Sequence, residues 1–387
     1  MDLLHYFDPV DFDKFECADW ANKKHSLGAL LQKNQEKLKL EKADLVIIGV
    51  GEDRNAIVPG AGIAPDEIRK YLYNLNRIGP RLKVMDLGNL KLGHTANDSY
   101  FALRDICEHF LVNHQTLIVL GGSQDLTFGI TKAFDERQFN MVTVDPKLDF
   151  RKGIKNINSE NYLNLIVERQ KNLYSYTALA YQNYFIDATE IDQFNNYHWD
   201  VKRLGQVRYD MTSVEPILRD AHVFSFDLNS VRYLDAAGQS MASPNGLYSE
   251  EACQIARYAG TSDELNIAGF FNLIPDKDTT SNSTNLMAQI VWHFIEGFSC
   301  RKPEDPSEDS EDFNQFMVDM SNINMTLTFF QSRISGRWWM EISDFENRKG
   351  GMYIVPCDED DYKKASHGDI PDRWWKNIRK MHKRQNK

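Results

Sequence analysis

The sequence predicts an α/β fold with a mostly parallel sheet, and three short apolar runs are the main reason. The runs span residues 117–120, 141–144 and 222–226, and each has the length of a buried strand. Segments with the apolar spacing of helices separate them, and strands that alternate with helices imply a parallel sheet covered on both faces. In open sheets of this kind, polar residues just past the strand ends carry the chemistry.

The other elements of this fold follow along the chain. A partial apolar stripe predicts a helix over residues 29–40, and the run 45–50 predicts the first strand. Pro65 begins a helix with acids in its first turn and bases later, which suits the helix dipole. The remaining predicted elements are helices over 98–113, from Tyr162 onward and over 284–298, and a strand over 178–186.

Composition changes after residue 300. Residues 301–312 contain six acids and two prolines, which is typical of a solvated linker. Beyond it, the runs 325–330 and 337–342 flank Ser335-Gly336 and predict a β-hairpin. The basic tail from residue 376 is predicted to be disordered.

We therefore expect an α/β domain at residues 1–300, a linker at 301–312, and a C-terminal extension at 313–387 that packs on the main domain. The extension is too short to fold well alone with one hairpin.

Bulk properties narrow the class of protein. The chain has 387 residues and a formal net charge of −11, which argues against nucleic-acid binding. Its five cysteines form no Cys-x-x-Cys pair, which favours reduced thiols in the cytoplasm. The first residues do not resemble a signal peptide, and no apolar run approaches the ~20 residues needed to span a bilayer.

Polar motifs follow the three apolar runs. They are Gly121-Gly122-Ser123-Gln124-Asp125, then Asp145-Pro146-Lys147-Leu148-Asp149, then Asp227-Leu228-Asn229. If the three strands are neighbours in one sheet, these side chains would share a pocket: Gln124, Asp145, Lys147, Asp149, Asp227 and Asn229.

The motifs resemble those of the arginase/agmatinase/formimidoylglutamase (ureohydrolase) superfamily, over roughly residues 40–300. Family members carry Gly-Gly-Asp-His, Asp-Ala-His-x-Asp and Ser-x-Asp-x-Asp, whose six ligands hold two manganese ions. The resemblance extends to residues 59–69, 244–247 and 272–275. It implies a three-layer arginase-like fold and hydrolysis of a guanidinium or formimidoyl group by a metal-bound hydroxide.

Position by position, this resemblance implies two ligand sets: Gln124, Asp145, Asp149 and Asp227 for the first metal, and Lys147, Asp145, Asp227 and Asn229 for the second. A charged lysine has no lone pair, and an asparagine offers only a neutral oxygen, so the second site is lost. The first set could suit one divalent cation, such as manganese, magnesium or calcium. Asn272 stands where the family carries a glutamate, and the family's catalytic histidine region contains no histidine.

Lys147 is the predicted replacement for the lost metal charge. Carboxylates converging at ~4 Å repel by about 1 kcal/mol per pair in water and by more in a cleft. We expect Lys147 to place positive charge between Asp145 and Asp227. The alternatives are a bound cation, raised pKa values of the carboxyls, or a lysine that points to solvent beside an open, wet pocket.

These residues favour a catalytically degenerate family member that acts by binding or scaffolding, with no cofactor expected. The rival is an active hydrolase of linear amidines that uses one metal ion or none, and a third possibility is a regulator that binds an amino-acid-like or guanidino ligand in the old pocket. We expect a protein partner, and a homo-oligomer is open because family members often form trimers or hexamers. The predicted partner surface consists of Arg337, Trp338, Arg373 and Trp374.

Overall fold

The structure, a computed structural model, contains one large sheet, helices on both of its faces, and a smaller C-terminal sheet. It describes residues 3–12, 23–34, 40–79, 81–150, 156–197, 199–307, 310–320, 325–342 and 353–385, with side chains as far as Met381. Within these residues, no helix is long and apolar enough to cross a membrane.

The large sheet has ten strands, in the order β1-β4-β3-β5-β10-β9-β6-β7-β8, with β2 paired to β4. All neighbours are parallel except β1, which runs antiparallel to β4. The strands are β1 (Phe7–Asp8), β2 (Gln32–Lys33), β3 (Leu45–Gly49), β4 (Val84–Leu90), β5 (Thr116–Leu120), β6 (Phe139–Val144), β7 (Leu173–Tyr181), β8 (Asp200–Arg203), β9 (Val223–Asp227) and β10 (Ile267–Phe271).

Helices cover the sheet in two layers. They are α1 (Leu27–Leu30), α2 (Ala64–Leu72), α3 (Ala96–Val112), α4 (Leu126–Thr131), α5 (Tyr162–Arg169), α6 (Ala188–Tyr197), α7 (Leu204–Tyr209), α8 (Glu215–Arg219), α9 (Ser249–Gly260) and α10 (Asn282–Ser299). One apolar core joins the sheet to α2 and α7 to α10, and a second joins it to α3 to α6. The predicted three-layer α/β fold is confirmed.

Two predicted elements differ from the structure. The helix expected over residues 29–40 is a single turn, Leu27–Leu30, followed by β2, while residues 35–39 lie outside the described part of the chain. The strand expected over 178–186 is β7, which begins at Leu173 and ends at Tyr181. The start of β7 was missed because its first two residues are only half-buried.

The C-terminal segment forms a four-stranded antiparallel sheet and two helices. In spatial order the strands are β11 (Phe313–Met320), β12 (Met325–Ser332), β13 (Trp338–Ile342) and β14 (Tyr353–Cys357), followed by α11 (Glu359–Ser366) and α12 (Asp372–Gln385). The predicted hairpin is β12 and β13, and it is confirmed. We expected a single hairpin in this segment and a disordered tail, and both expectations were wrong. Apolar side chains from the four-stranded sheet and from α12 form a small core of their own.

Two of the four residues of the predicted partner surface are buried in the structure. Trp338 is 8% exposed and Trp374 is 5% exposed, so neither offers a contact surface. The Arg337 side chain forms an ion pair with Glu215 at 3.1 Å, and that of Arg373 pairs with Asp361 at 2.8 Å. In the sequence alone, residues that pack the C-terminal sheet within the chain look the same as residues that bind another protein.

Residues 301–312 are anchored at their start, rather than solvated throughout as expected. The Arg301 guanidinium donates to the carbonyls of Gly260 and Leu265 and to the Thr116 hydroxyl. Glu304 accepts a hydrogen bond from Ser332 and faces Arg337 at 3.7 Å. Residues 308–309 of this stretch lie outside the described chain.

Candidate functional site

Four neighbouring strand ends carry most of the predicted site. The strand order β5-β10-β9-β6 places the turn with Gln124, then Asn272, Asp227 and Asp145, along one edge of the sheet. All four strands are parallel, so their carboxyl ends meet at that edge. The sequence predicted three converging strands, and β10 is the fourth, lying between two of them.

A tight glycine turn after β5 positions Gln124. Gly121 and Gly122 have φ angles of +81° and +71°, a region that glycine adopts without strain. A Cβ atom on Gly121 would lie 2.4 Å from Pro65 Cδ, and one on Gly122 would lie 2.6 Å from the Val50 carbonyl oxygen. The two glycines therefore allow the turn to pass close to the neighbouring loops.

Gln124 is fully buried and uses only one end of its side-chain amide. Its Nε2 donates to Ser225 Oγ at 3.3 Å. Its Oε1 has no hydrogen-bond partner among the described residues. A buried acceptor without a donor costs free energy, so this oxygen is the group of the pocket most suited to a cation or an external donor.

Asn272 links the edges of the pocket. It has a φ of +64°, and its Oδ1 accepts a hydrogen bond from the Gln124 backbone N–H at 3.2 Å. Its side chain also hydrogen-bonds Asp227, which lowers the pKa of that carboxyl. Asn272 thus acts here as a neutral bridge, at the position where the resemblance places a glutamate.

Three buried carboxyls converge in the pocket. Burial raises the pKa of Asp145 to about 8, and the charge of Asp227 adds to the rise. Burial likewise raises the pKa of Asp149 well above its ordinary value, and that of Asp227 to about 6. Asp145 and Asp149 hydrogen-bond each other through their side chains, and their raised pKa values favour a protonated carboxyl in this pair.

Lys147 makes its ion pair outside this carboxyl group. Its backbone N–H donates to Asp145 Oδ1 at 2.7 Å, but its ammonium pairs with Glu160, and both of these side chains are 23% exposed. The lysine charge still lowers the pKa values of Asp145, Asp149 and Asp227. The expected position between Asp145 and Asp227 is therefore corrected: the lysine acts on them at longer range, because Glu160 holds its ammonium.

Asn229 turns its donor end toward the pocket. Its Nδ2 donates to Asp227 Oδ2 at 3.1 Å, and its backbone N–H donates to Asp227 Oδ1 at 2.7 Å. Its Oδ1 accepts hydrogen bonds from the Ser240 hydroxyl and the Met241 N–H, both at 3.0 Å. The one atom of Asn229 that could bind a metal is thus already bonded elsewhere.

Lys147 and Asn229 occur only in the second of the two ligand sets, and neither can bind a metal ion in this structure. Lys147 offers an ion-paired ammonium there, and Asn229 offers an N–H donor, neither of which is a ligand. The first set is chemically more suitable, since three carboxyls and the unpartnered Gln124 Oε1 are hard oxygen donors. Even so, no group of three or more histidine, cysteine or acidic side chains in the described chain is arranged to hold a metal ion.

Sequence reasoning missed several residues around the pocket. Ser225 could have been noticed in the sequence, because it is a polar residue within an apolar strand, β9. Its hydroxyl accepts a hydrogen bond from the Gln124 side-chain amide. Glu160 lies in a loop and carries no local signal for its pairing with Lys147. Asp125 is fully buried and accepts hydrogen bonds from Ser123 and Tyr100.

Comparison with known proteins identifies the family of the large α/β domain. A sequence model of the arginase family matches residues 43–296. A formimidoylglutamase of Photorhabdus laumondii is 23% identical over 256 residues, which is 62% of this chain and 80% of that protein. One from Staphylococcus haemolyticus is 19% identical over 312 residues, 74% of this chain and 94% of that protein.

Solved structures share the fold. A manganese-containing formiminoglutamase of Trypanosoma cruzi aligns with a TM-score of 0.66 at 21% identity, covering 72% of this chain and 99% of that one. The formimidoylglutamase of Bacillus subtilis aligns at 0.65 with 15% identity, covering 72% and 94%. The family match ends at residue 296, so the C-terminal sheet and its helices lie beyond it.

Proposed function

The chain belongs to the arginase family as a formimidoylglutamase-like member, and we propose that it lacks a binuclear manganese centre and acts by binding rather than by catalysis. The orientation of Asn229 is the observation that carries this proposal. Its amide N–H faces Asp227, and its oxygen is bonded to Ser240 and Met241. A second metal next to Asp227 would meet a donor where it needs a lone pair.

Without a second metal ion, the pocket lacks the activated hydroxide that the family reaction uses. Two metal ions make a bound water acidic enough to act as hydroxide at neutral pH. Here the chain's own residues make hydrogen bonds instead: Asp145 and Asp149, whose pKa values are both raised, bond each other, and Asn272 and Asn229 donate to Asp227. These contacts stabilise buried carboxyls, and they provide no activated nucleophile.

The direct test is metal content together with turnover. After manganese loading and removal of free metal, elemental analysis should find fewer than two ions per chain, and arginine, agmatine and formimidoylglutamate should release no urea or formamide above the buffer rate. About two manganese ions per chain, or a turnover that disappears in Asp227→Ala, would refute the proposal.

A gain-of-function series provides the matched control. The combined variant Gln124→His, Lys147→His, Asn229→Asp and Asn272→Glu restores the ligand types that the family carries. It should bind manganese before it shows activity, because contacts to the substrate can have changed independently. If wild type and this variant bind manganese equally, the substituted residues do not explain metal loss.

A second candidate function is a hydrolase that uses one divalent cation. The observation in its favour is the unpartnered Oε1 of Gln124 beside Asp145 and Asp227. Gln124→Leu should then abolish binding of a single manganese ion, which titration calorimetry would detect in the wild type. A regulator with a guanidino ligand in this pocket, a protein partner, a homo-oligomer and a cytoplasmic location remain predictions.

A further inference from the structure

A cleft of about 800 Å³ separates the large sheet from the C-terminal segment. Residues of β6, β7 and β8 form its floor, and in β7 these are the alternate residues Ser175, Thr177 and Tyr181, which share one face of the strand. Helices α7 and α8, strand β14, and helices α11 and α12 line its sides. Gln124, Asp145 and Asp227 are not among the residues that line it, so this cleft is distinct from the pocket described above.

One end of the cleft presents hydrogen-bond acceptors without donors. Asn140 uses its Nδ2 on the Asp220 carbonyl at 2.9 Å, which leaves its buried Oδ1 without a partner in the described chain. Within the same residues, no side chain makes an ion pair with the Asp220 carboxylate. Lys380 lies close enough to lower the pKa of Asp220, but its ammonium bonds Ser175 and Asp200. Burial nevertheless raises that pKa to about 6, so a cationic ligand group here would relieve a desolvation cost.

The other end of the cleft presents donors. The Lys202 ammonium bonds only the hydroxyl and carbonyl of Ser213 among the described residues, at 2.5 and 3.4 Å. Burial lowers its pKa, and the neighbouring Arg373 charge adds to the effect. Arg203 lines the same end and is exposed. An anionic group placed there would stabilise the charge of Lys202.

The two ends are separated by the length of a short extended chain. Asn140 lies opposite Ser175, and Lys202 lies opposite Leu179, so the ends differ by four residues along β7 and by two strands across the sheet. Strand geometry makes this roughly 16 Å between backbone positions, and side chains that reach inward shorten the gap. Between the ends, α8 and β14 contribute an apolar wall of Pro216, Ile217, Val355 and Pro356. On the floor between the ends, the charge of Asp200 is balanced by its ion pairs with Lys376 and Lys380.

We propose that this cleft binds a short linear peptide with free termini, its ammonium at Asp220 and Asn140 and its carboxylate at Lys202 and Arg203. About four extended residues span roughly 13 Å, which matches the spacing of the two ends. An apolar wall between two charged ends suits uncharged side chains in the middle of such a peptide. The inference does not depend on the loss of catalysis, since it concerns a different part of the molecule.

The test uses tetraalanine and its two capped forms as probes, measured by titration calorimetry on the full chain. Wild type should bind tetraalanine, and N-acetylation or C-amidation should each weaken binding about tenfold, the value of one charge-assisted hydrogen bond. Asp220→Asn should weaken binding of tetraalanine but not of its acetylated form. Lys202→Met should weaken binding of tetraalanine but not of its amide.

Two further variants serve as controls. Asp360→Asn changes an exposed carboxylate at the rim of the cleft that pairs with Lys363, and it should leave the affinity unchanged. Asp227→Asn lies in the other pocket and should do the same. No binding of tetraalanine to wild type, equal affinity for capped and free peptide, or a loss in Asp227→Asn overturns the proposal. If a cleft variant fails to fold, the capped peptides on wild type decide the question alone.

Discussion

Asp145 links the pocket to the pH dependence of stability. Its pKa is raised to about 8, mainly by burial, so the native state holds its proton more tightly than the unfolded chain does. Stability therefore falls as pH rises, beginning above the ordinary carboxyl pKa near 4 and ending near 8. In EDTA, we expect the melting temperature of wild type to drop between pH 6 and 8, and Asp145→Asn to flatten that drop in part, because the pKa of Asp149 is raised as well.

Asp125 offers the matched comparison for this slope. Burial raises its pKa only to about 6, so Asp125→Asn should alter the slope below pH 6 and leave the decline between pH 6 and 8 intact. A wild-type melting temperature that is constant from pH 6 to 8 would show that the Asp145 carboxyl is not held protonated.

Lys147 tests how far the lost metal charge is replaced. A lysine buried between Asp145 and Asp227 would make Lys147→Met cost roughly 3–5 kcal/mol. Its actual partner is Glu160, and both side chains are 23% exposed, so we expect a loss of about 1 kcal/mol or less. Chemical denaturation of Lys147→Met, Glu160→Gln and the double variant would measure the coupling. A loss above 3 kcal/mol in the single lysine variant would restore the direct pairing with the aspartates.

Helices α9 and α10 show how one atom fixes the distance between elements. Gly260 ends α9, and a Cβ atom there would lie 2.1 Å from the Phe294 carbonyl oxygen in α10. The atoms that this Cβ would meet all belong to the backbone of α10, so they cannot rotate out of the way. Gly260→Ala must therefore separate the helices, and we expect a loss of about 1–3 kcal/mol in the free energy of unfolding.

Gly205, in α7, is the control for this substitution. No atom of the described residues lies within 4 Å of its Cβ position, so Gly205→Ala should stabilise the protein by about 0.5–1 kcal/mol through helix propensity. Denaturant midpoints of both variants, taken with unchanged m-values, would test the pair. Equal effects of the same sign would mean that the close approach of the helices is not what Gly260 provides.

At the scale of the whole molecule, the sequence predicted what is local and apolar. The apolar runs that form β5, β6 and β9 lie between turn residues, so the sequence predicted these strands and the polar residues after them. The sequence did not predict β8, Asp200-Val201-Lys202-Arg203, because a polar strand at the edge of a sheet has the composition of a loop. Contacts between distant segments were also hidden: Arg219 holds the C-terminal sheet through the carbonyls of Trp338 and Cys357, and no local pattern indicates this.

The attachment of α12 to the large sheet is the long-range contact with the most direct test. Lys376 and Lys380 both pair with Asp200, at 2.6 and 3.1 Å, and Lys380 is nearly buried. Asp200→Asn leaves these two ammonium groups without their counter-charge, and we expect a loss of about 3 kcal/mol in stability, since removing one member of a buried pair is costly. Hydrogen exchange of α12 should accelerate in this variant. Lys363→Met, which removes a solvent-exposed pair with Glu359, should change neither measurement. If α12 exchanges at the wild-type rate in Asp200→Asn, apolar contacts of Trp374 and Ile378 hold the helix by themselves, and the ion pairs contribute little to joining the two sheets.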